Sequence, residues 1–163
     1  MTHPKIDLGG NDSTPEGWLS VDILPTADIV CDITQGLPFD TESVAAVRAF
    51  DFLEHIPHCR NSMCSHQPCA CTVGLMNDIH RVLIPGGYFY SMTPSTAGRG
   101  AFQDPTHCSF WNANSFWYYM KEQQARFVPG ITARFNGHVY EAYPSAWHRQ
   151  HHIPYVYANL TKA

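Results

Sequence analysis

Long apolar runs are missing from this chain of 163 residues: no stretch approaches the roughly 20 consecutive apolar residues of a membrane-spanning helix, which argues against an integral membrane protein. The opening MTHPKID holds neither a basic region nor an apolar segment of the kind that directs secretion, so a cytoplasmic location is expected. No internal repeat, low-complexity tract or tether-like linker interrupts the sequence, which argues against a solenoid or a pair of joined domains. One domain over residues 1–163 is therefore expected, since a chain of this size buries roughly two-thirds of its unfolded surface. A full G-x-G-x-x-G is also absent after the first strand-like segment, and that ranks a dinucleotide-binding enzyme last among nucleotide-cofactor readings.

What is present points to an α/β protein. Strand-like patterns recur at Lys5–Leu8, Trp18–Ile23, Asp28–Ile33, Val44–Phe50 and Tyr88–Thr93, mostly as apolar runs, which suit strands covered on both faces of a parallel sheet. Between the last two, Leu75, Ile79, Val82 and Leu83 share one face of a predicted helix over Val73–Leu83, and Pro85-Gly86-Gly87 ends it. Near the end, ARFNGHVYEAY and IPYVYANLTK alternate and are rich in β-branched and aromatic residues, predicting an antiparallel pair that closes the sheet. The expected fold is a Rossmann-like, mostly parallel sheet with helices on both faces. Charge is uneven: residues 1–58 hold ten acids against two bases, and the remainder four acids against eight bases. An acidic first half suits ribose hydroxyls or a cationic ligand and a basic second half suits anionic groups, although an uneven solvated surface gives the same count.

Ligands of open α/β sheets bind beyond the carboxyl ends of the strands, so the residues following each predicted strand carry the functional reading. These are Gly9-Gly10-Asn11, Asp22-Ile23, Asp32-Ile33, Asp51-Phe52 and Thr93-Pro94. Glycines after the first strand let backbone approach a ligand, an acid after the second can accept from both ribose hydroxyls, and Asp32 can accept from an adenine amino group. Each alone also reads as a plain turn or a helix cap; their ordered recurrence gives them weight.

With DLGGN at Asp7–Asn11, VDI at Val21–Ile23, CDITQGLPF at Cys31–Phe39, FDFLEHIP at Phe50–Pro57 and DIHRVLIPGGYFY at Asp78–Tyr90, the chain resembles the class I S-adenosylmethionine-dependent methyltransferases. The likeness is to small phage and bacterial members whose fourth strand runs into LEHI. It implies that Asp7, Gly9 and Gly10 line the amino-acid end of the cofactor, that Asp22 holds its ribose with Ile23 also at the cofactor, and that Asp32 and Ile33 flank the adenine. It also implies that Phe50, Asp51 and His55 line the cofactor at the end of the fourth strand. The Asn-Pro-Pro-aromatic or Asp-Pro-Pro-aromatic tetrad of amino-methylating DNA enzymes is replaced here by Asp51-Phe52-Leu53-Glu54, which disfavours base methylation on nitrogen. Arg126, Arg134 and the run His148–His152 can meet phosphate, but such a cluster is more often a solvated edge. The acceptor stays open between small molecule, sugar, peptide and nucleic acid.

Two departures from the family pattern matter. Only nine residues separate Leu8 from Trp18, too few for a helical crossover of ten to twelve residues, so the first helix is expected to be absent or one turn long. The face left uncovered predicts a homo-oligomer. The second departure is a Cys/His-rich insert over residues 58–74 containing Cys59, Cys64, Cys69 and Cys71, with His55, His58 and His66 nearby. Four thiols satisfy the ligand count of a structural zinc, but the spacing is not that of paired C-x2-C knuckles; disulfides and a loop of free thiols compete. Cys31 and Cys108 read as small packing residues.

Methyl transfer from a sulfonium asks mainly for alignment of the acceptor and exclusion of water. Asp104 and His107 of QDPTH follow the fifth strand and are the candidate catalytic pair, His107 as base or orienting group and Asp104 as its support, with loop organisation the competing reading. Trp111, Phe116, Trp117, Tyr118 and Tyr119 read first as core and second as a stacking surface for a flat acceptor. The rival from another class is a non-catalytic module of the same fold, acting in binding or assembly.

Overall fold

The computed structural model of the protein describes residues 3–59 and 70–163. Inside its sheet lies β1 (Lys5–Leu8), whose side chains from Ile6 onward are buried, as a strand flanked by parallel neighbours requires. Around it, β2 (Leu19–Asp22), β3 (Ile29–Val30), β4 (Val44–Phe50) and β5 (Leu83–Pro94) are parallel, while β6 (Phe135–Ala142) and β7 (Tyr155–Lys162) form the expected antiparallel pair. The sheet order is β3-β2-β1-β4-β5-β7-β6, so the direction of strand succession reverses between β1 and β4. The sheet is mixed and Rossmann-like, with helices packed around it. No helix among the described residues is long and apolar enough to cross a membrane.

The expected helix between β4 and β5 is α1 (Thr72–Val82), and it is buried over most of its length. It ends before Pro85, because Leu83 already turns extended and pairs with Val44. The register then shifts so that Tyr88 faces Ala46, leaving Ile84–Gly87 as a bulge with Gly86 at φ +73. Two buried polar side chains fasten α1 to the loops around it. The Asp78 carboxylate accepts from the Leu37 N–H at 2.5 Å and from Arg81 Nε at 2.6 Å, and Arg81 donates onward to the Phe39 and Leu37 carbonyls. Asn77 donates to the Gly130 carbonyl and accepts from the Thr132 and Ala133 amides.

The link between β1 and β2 is a single 3-10 turn, Asn11–Ser13, as its length predicts. β3 is shorter than the predicted Asp28–Ile33. Asp32 leaves the ladder and caps a 3-10 turn at Ile33–Gln35 by accepting from the Thr34 amide and hydroxyl, while Asp28 accepts from the Ser20 amide and hydroxyl at the strand's start. Side chains compete here for the backbone donors that a longer strand would use. Leu19, Leu24 and Val30 on this side of the sheet are 38%, 48% and 59% exposed, the uncovered edge that the missing helix implies.

Short helices complete the chain: α2 (Gly100–Gln103), α3 (Trp117–Met120), α4 (Glu122–Ala125) and α5 (Ala146–Gln150). The aromatic band divides as a helical period requires: Trp111, Phe116 and Tyr119 are buried, whereas Trp117 and Tyr118 are exposed.

Candidate active site

The reversal of strand order beside β1 opens a crevice at the carboxyl ends of the strands, where open α/β sheets bind ligands. A cavity of about 370 Å³ lies there. Of the ten residues predicted to line a cofactor, it brings together seven: Gly9, Asp22, Ile23, Asp32, Ile33, Asp51 and His55. Val21, Cys31, Thr34, Phe52 and Ile56 complete its wall. Gly9 stands at φ +73, and a Cβ there would fall 2.5 Å from the Phe52 ring, so only glycine lets the β1 turn and Phe52 meet. Asp22 bends back on itself, its Oδ1 accepting from the Leu24 N–H at 2.9 Å.

The other three lie outside its wall. Asp7 does not line the cavity: its carboxylate is buried beneath the β1 turn, 3.4 Å from the Arg48 guanidinium and accepting from the Thr14 hydroxyl at 3.0 Å. Gly10 serves that arrangement, because any Cβ would strike the Asp7 carboxylate. Phe50 lies under Arg48, whose guanidinium carbon is 4.3 Å from its ring centre, and Phe52 takes the place in the cavity. The exchange follows from Asp51, which sits at φ +47 and turns the chain out of β4 after its own N–H has donated to the Met92 carbonyl.

A second cavity of about 230 Å³ shares Asp51 and His55 with the first and is lined also by Glu54, Asp104, His107 and Tyr155. It is the more polar of the two. Tyr155 arrives because the β5–β7 register sets it opposite Pro94, at the carboxyl end of the sheet, and its hydroxyl donates to Asp51. Burial pushes the Asp51 carboxyl up, opposed by that hydrogen bond and by nearby histidines, and burial with the adjacent Asp51 also pushes up the Tyr155 hydroxyl. Glu54 is 2% exposed; Thr93 donates to its Oε2 at 2.7 Å, and burial raises its carboxyl too.

The catalytic pair read from QDPTH is brought to this second cavity, but Asp104 does not hydrogen-bond His107. Its Oδ2 lies 4.0 Å from His107 Nε2, and its Oδ1 accepts from the Thr106 amide and hydroxyl at 2.8 and 2.6 Å. Those bonds organise the loop and hold the Asp104 carboxyl below its ordinary range. His107 is oriented instead by the Ala101 carbonyl, 3.1 Å from its Nδ1. Ligand atoms of Glu54, His55 and His107 all lie within 4.8 Å of one another.

The cysteine insert looks different from a four-thiolate site. Cys59 and Cys71 are joined as a disulfide, which leaves neither sulfur as a thiolate ligand, and Cys64 and Cys69 lie outside the described residues. His58 Nε2 accepts from the Phe110 amide. Cys31 lines the larger cavity, and Cys108 is exposed and donates to the His55 carbonyl rather than packing. Glu54 and Tyr155 were not singled out from the sequence as site residues, and Phe52 was read there only as a residue that follows the fourth strand. Glu54 lay within the LEHI segment, and Tyr155 becomes visible only through strand register.

No protein-family model and no curated protein sequence matches the chain. Solved structures do, over nearly its whole length. An S-adenosylmethionine-dependent methyltransferase from Methanosarcina mazei superposes with a TM-score of 0.62 at 12% identity, covering 98% of this chain and 92% of that one. Geranyl diphosphate C-methyltransferase from Streptomyces coelicolor A3(2), in complex with Mg2+, geranyl-S-thiolodiphosphate and S-adenosyl-L-homocysteine, gives 0.58 at 12% identity, covering 99% and 70%. The protein complexed with the Trm112 methyltransferase activator in Haloferax volcanii gives 0.58 at 15% identity, covering 99% and 82%. The chain therefore has the fold of S-adenosylmethionine-dependent methyltransferases.

Proposed function

We propose that the protein is an S-adenosylmethionine-dependent methyltransferase, with the cofactor in the larger cavity and the acceptor in the smaller one. The observation that carries this reading is the meeting of the two cavities at Asp51 and His55, with a glycine after β1 and acids after β2 and β3 around the first. The residues fit the cofactor. Gly9 gives a Cβ-free approach, the Asp22 carboxylate suits a ribose diol, and Val21, Ile23 and Ile33 form apolar walls for an adenine beside Asp32.

The chemistry the cofactor supplies is a methyl group on a sulfonium, open to in-line displacement. This chain's residues bind, orient and exclude water. Phe52 and Ile56 close the apolar side of the larger cavity, and Asp51, held by the Tyr155 hydroxyl, stands at the junction. His107 faces the acceptor cavity, with its Nδ1 proton committed to the Ala101 carbonyl and its Nε2 lone pair available to orient an acceptor. Asp104 holds the loop that presents it. The fold supports many acceptors, so these residues define the site without naming the molecule methylated.

The test is transfer of label from methyl-tritiated cofactor to a panel of hydroxyl, amine and thiol acceptors. His107→Ala is expected to lower turnover at least tenfold with cofactor affinity unchanged. Wild-type turnover retained in that variant would overturn the assignment of the acceptor side.

A further inference from the structure

The smaller cavity gathers lone pairs from three neighbouring side chains, His107, His55 and Glu54. His107 Nδ1 faces a carbonyl, so this nitrogen must carry the ring proton and Nε2 the lone pair. His55 resolves in the same way. The single Thr106 hydroxyl proton goes to Asp104 Oδ1 at 2.6 Å, so at its 3.1 Å contact with His55 Nδ1 that hydroxyl oxygen is the acceptor and His55 Nδ1 the donor. Both imidazoles therefore offer Nε2 as a lone pair, with the rings edge to face and their centres 5.0 Å apart. Glu54 adds the third group: it is 2% exposed, and its Oε1 has no hydrogen-bond partner among the described residues. An orphaned carboxylate oxygen buried beside two basic nitrogens is costly unless a cation joins them.

We propose that Glu54, His55 and His107 form a binding site for a divalent transition-metal ion. Their ligand atoms lie within 4.8 Å of one another, a span that one ion can bridge. The outer partners match those that orient metal-bound imidazoles: a backbone carbonyl on His107, and a hydroxyl relayed to a carboxylate on His55. Two imidazoles and one carboxylate favour manganese, iron, cobalt or zinc over magnesium or calcium, which prefer all-oxygen shells, and three protein ligands leave coordination positions open. Those positions face the cavity that also holds Asp51, Asp104 and Tyr155. Resting on the methyltransferase reading, the ion then takes up the His107 Nε2 lone pair and itself orients the acceptor, which selects one that presents oxygen ligands, such as a hydroxyl or a vicinal diol.

The site is tested by calorimetric titration of tag-free, chelator-stripped full chain with MnCl2, an ion that thiolates bind poorly, so that the cysteine insert does not enter the readout. One Mn2+ per chain is expected, binding roughly 100-fold more weakly in Glu54→Gln and His107→Gln. His151→Gln, a histidine outside the cluster, should match wild type. Circular dichroism checks folding; should the buried Glu54 variant fail to fold, exposed His55→Gln replaces it with the same expected loss. Absence of stoichiometric Mn2+ binding, or equal affinity in wild type and the cluster variants, overturns the proposal. Titration with S-adenosylhomocysteine in the same samples separates the two readings. Nucleoside binding without metal binding removes the metal site alone; metal binding without nucleoside binding removes the methyltransferase reading and the acceptor class, and leaves the metal site standing.

Discussion

Replacing Gly9 with alanine tests how the β1 turn builds the larger cavity. Two penalties add at this position. A left-handed backbone costs an L-residue about 1–2 kcal/mol, and the new methyl, 2.5 Å from Phe52 Cδ2, forces the ring aside at a typical overpacking cost of about 1–3 kcal/mol. The expected total is about 2–5 kcal/mol of lost stability. Gly86 is the control, because it shares φ +73 but would place its Cβ in open space, with nothing within 4 Å. Gly86→Ala should therefore lose only the backbone share, about 1–2 kcal/mol. Urea denaturation, with slopes compared to verify an unchanged transition, measures both. The functional consequence separates them further. Phe52 lines the cavity, so Gly9→Ala should weaken S-adenosylhomocysteine binding at least tenfold, and adding Phe52→Leu should restore part of the stability. Gly86, in the bulge at the start of β5, should leave binding unchanged. Equal losses in the two alanine variants, with equal nucleoside affinity, would refute the reasoning.

Other outcomes follow from the buried polar network and from titration. Asp78→Ala should cost about 3 kcal/mol in denaturant titration, because it orphans the buried Leu37 amide and removes the charged acceptor of Arg81 Nε; a loss below about 1 kcal/mol would contradict the clamp. Asn77→Ala strips partners from the Gly130 carbonyl and the Thr132 and Ala133 amides and should cost about 2–4 kcal/mol, with faster amide exchange in that segment as its signature. His80 has its imidazole pKa lowered, first by burial and then by Lys162. A depressed histidine contributes stability that is present above its unfolded value and lost as pH falls through the folded one. Melting temperature should therefore fall from pH 7 toward pH 5 more steeply in wild type than in His80→Phe, and parallel curves would dismiss His80 as the source.

Much of the fold was readable because β4 is a nearly continuous apolar run, and the LEHI and IHRVL-PGG segments bracket the crossover. The missing first helix followed from chain length alone. Propensity did not reveal where side chains capture the backbone: Asp32 ends β3 early by capping a turn, a competition between two local hydrogen-bond patterns that composition does not decide. The same limit explains the exchange of Phe50 for Phe52. A strand continued in regular alternation would keep both phenylalanines on one face, but the left-handed Asp51 breaks the period between them. The place of Asp7 beneath the β1 turn depends on Arg48, a long-range partner across the parallel β1–β4 pair that no local pattern encodes. Tyr155 and Glu54 reach the second cavity through β7 register and the 3-10 turn Leu53–His55, neither of which is encoded as a local pattern.

The central claim is that the crevice beside β1 holds S-adenosylmethionine through the acids that follow β2 and β3. The most direct measurement is calorimetric titration of wild type and Asp22→Ala with S-adenosylhomocysteine, with NAD as the control ligand. Two charge-assisted hydrogen bonds to a ribose diol contribute about 3 kcal/mol, so the account predicts micromolar binding in wild type, a loss of roughly 100-fold or more in the variant, and no comparable binding of NAD. No heat of binding in wild type up to millimolar nucleoside would contradict it and would favour a non-catalytic module that keeps the fold.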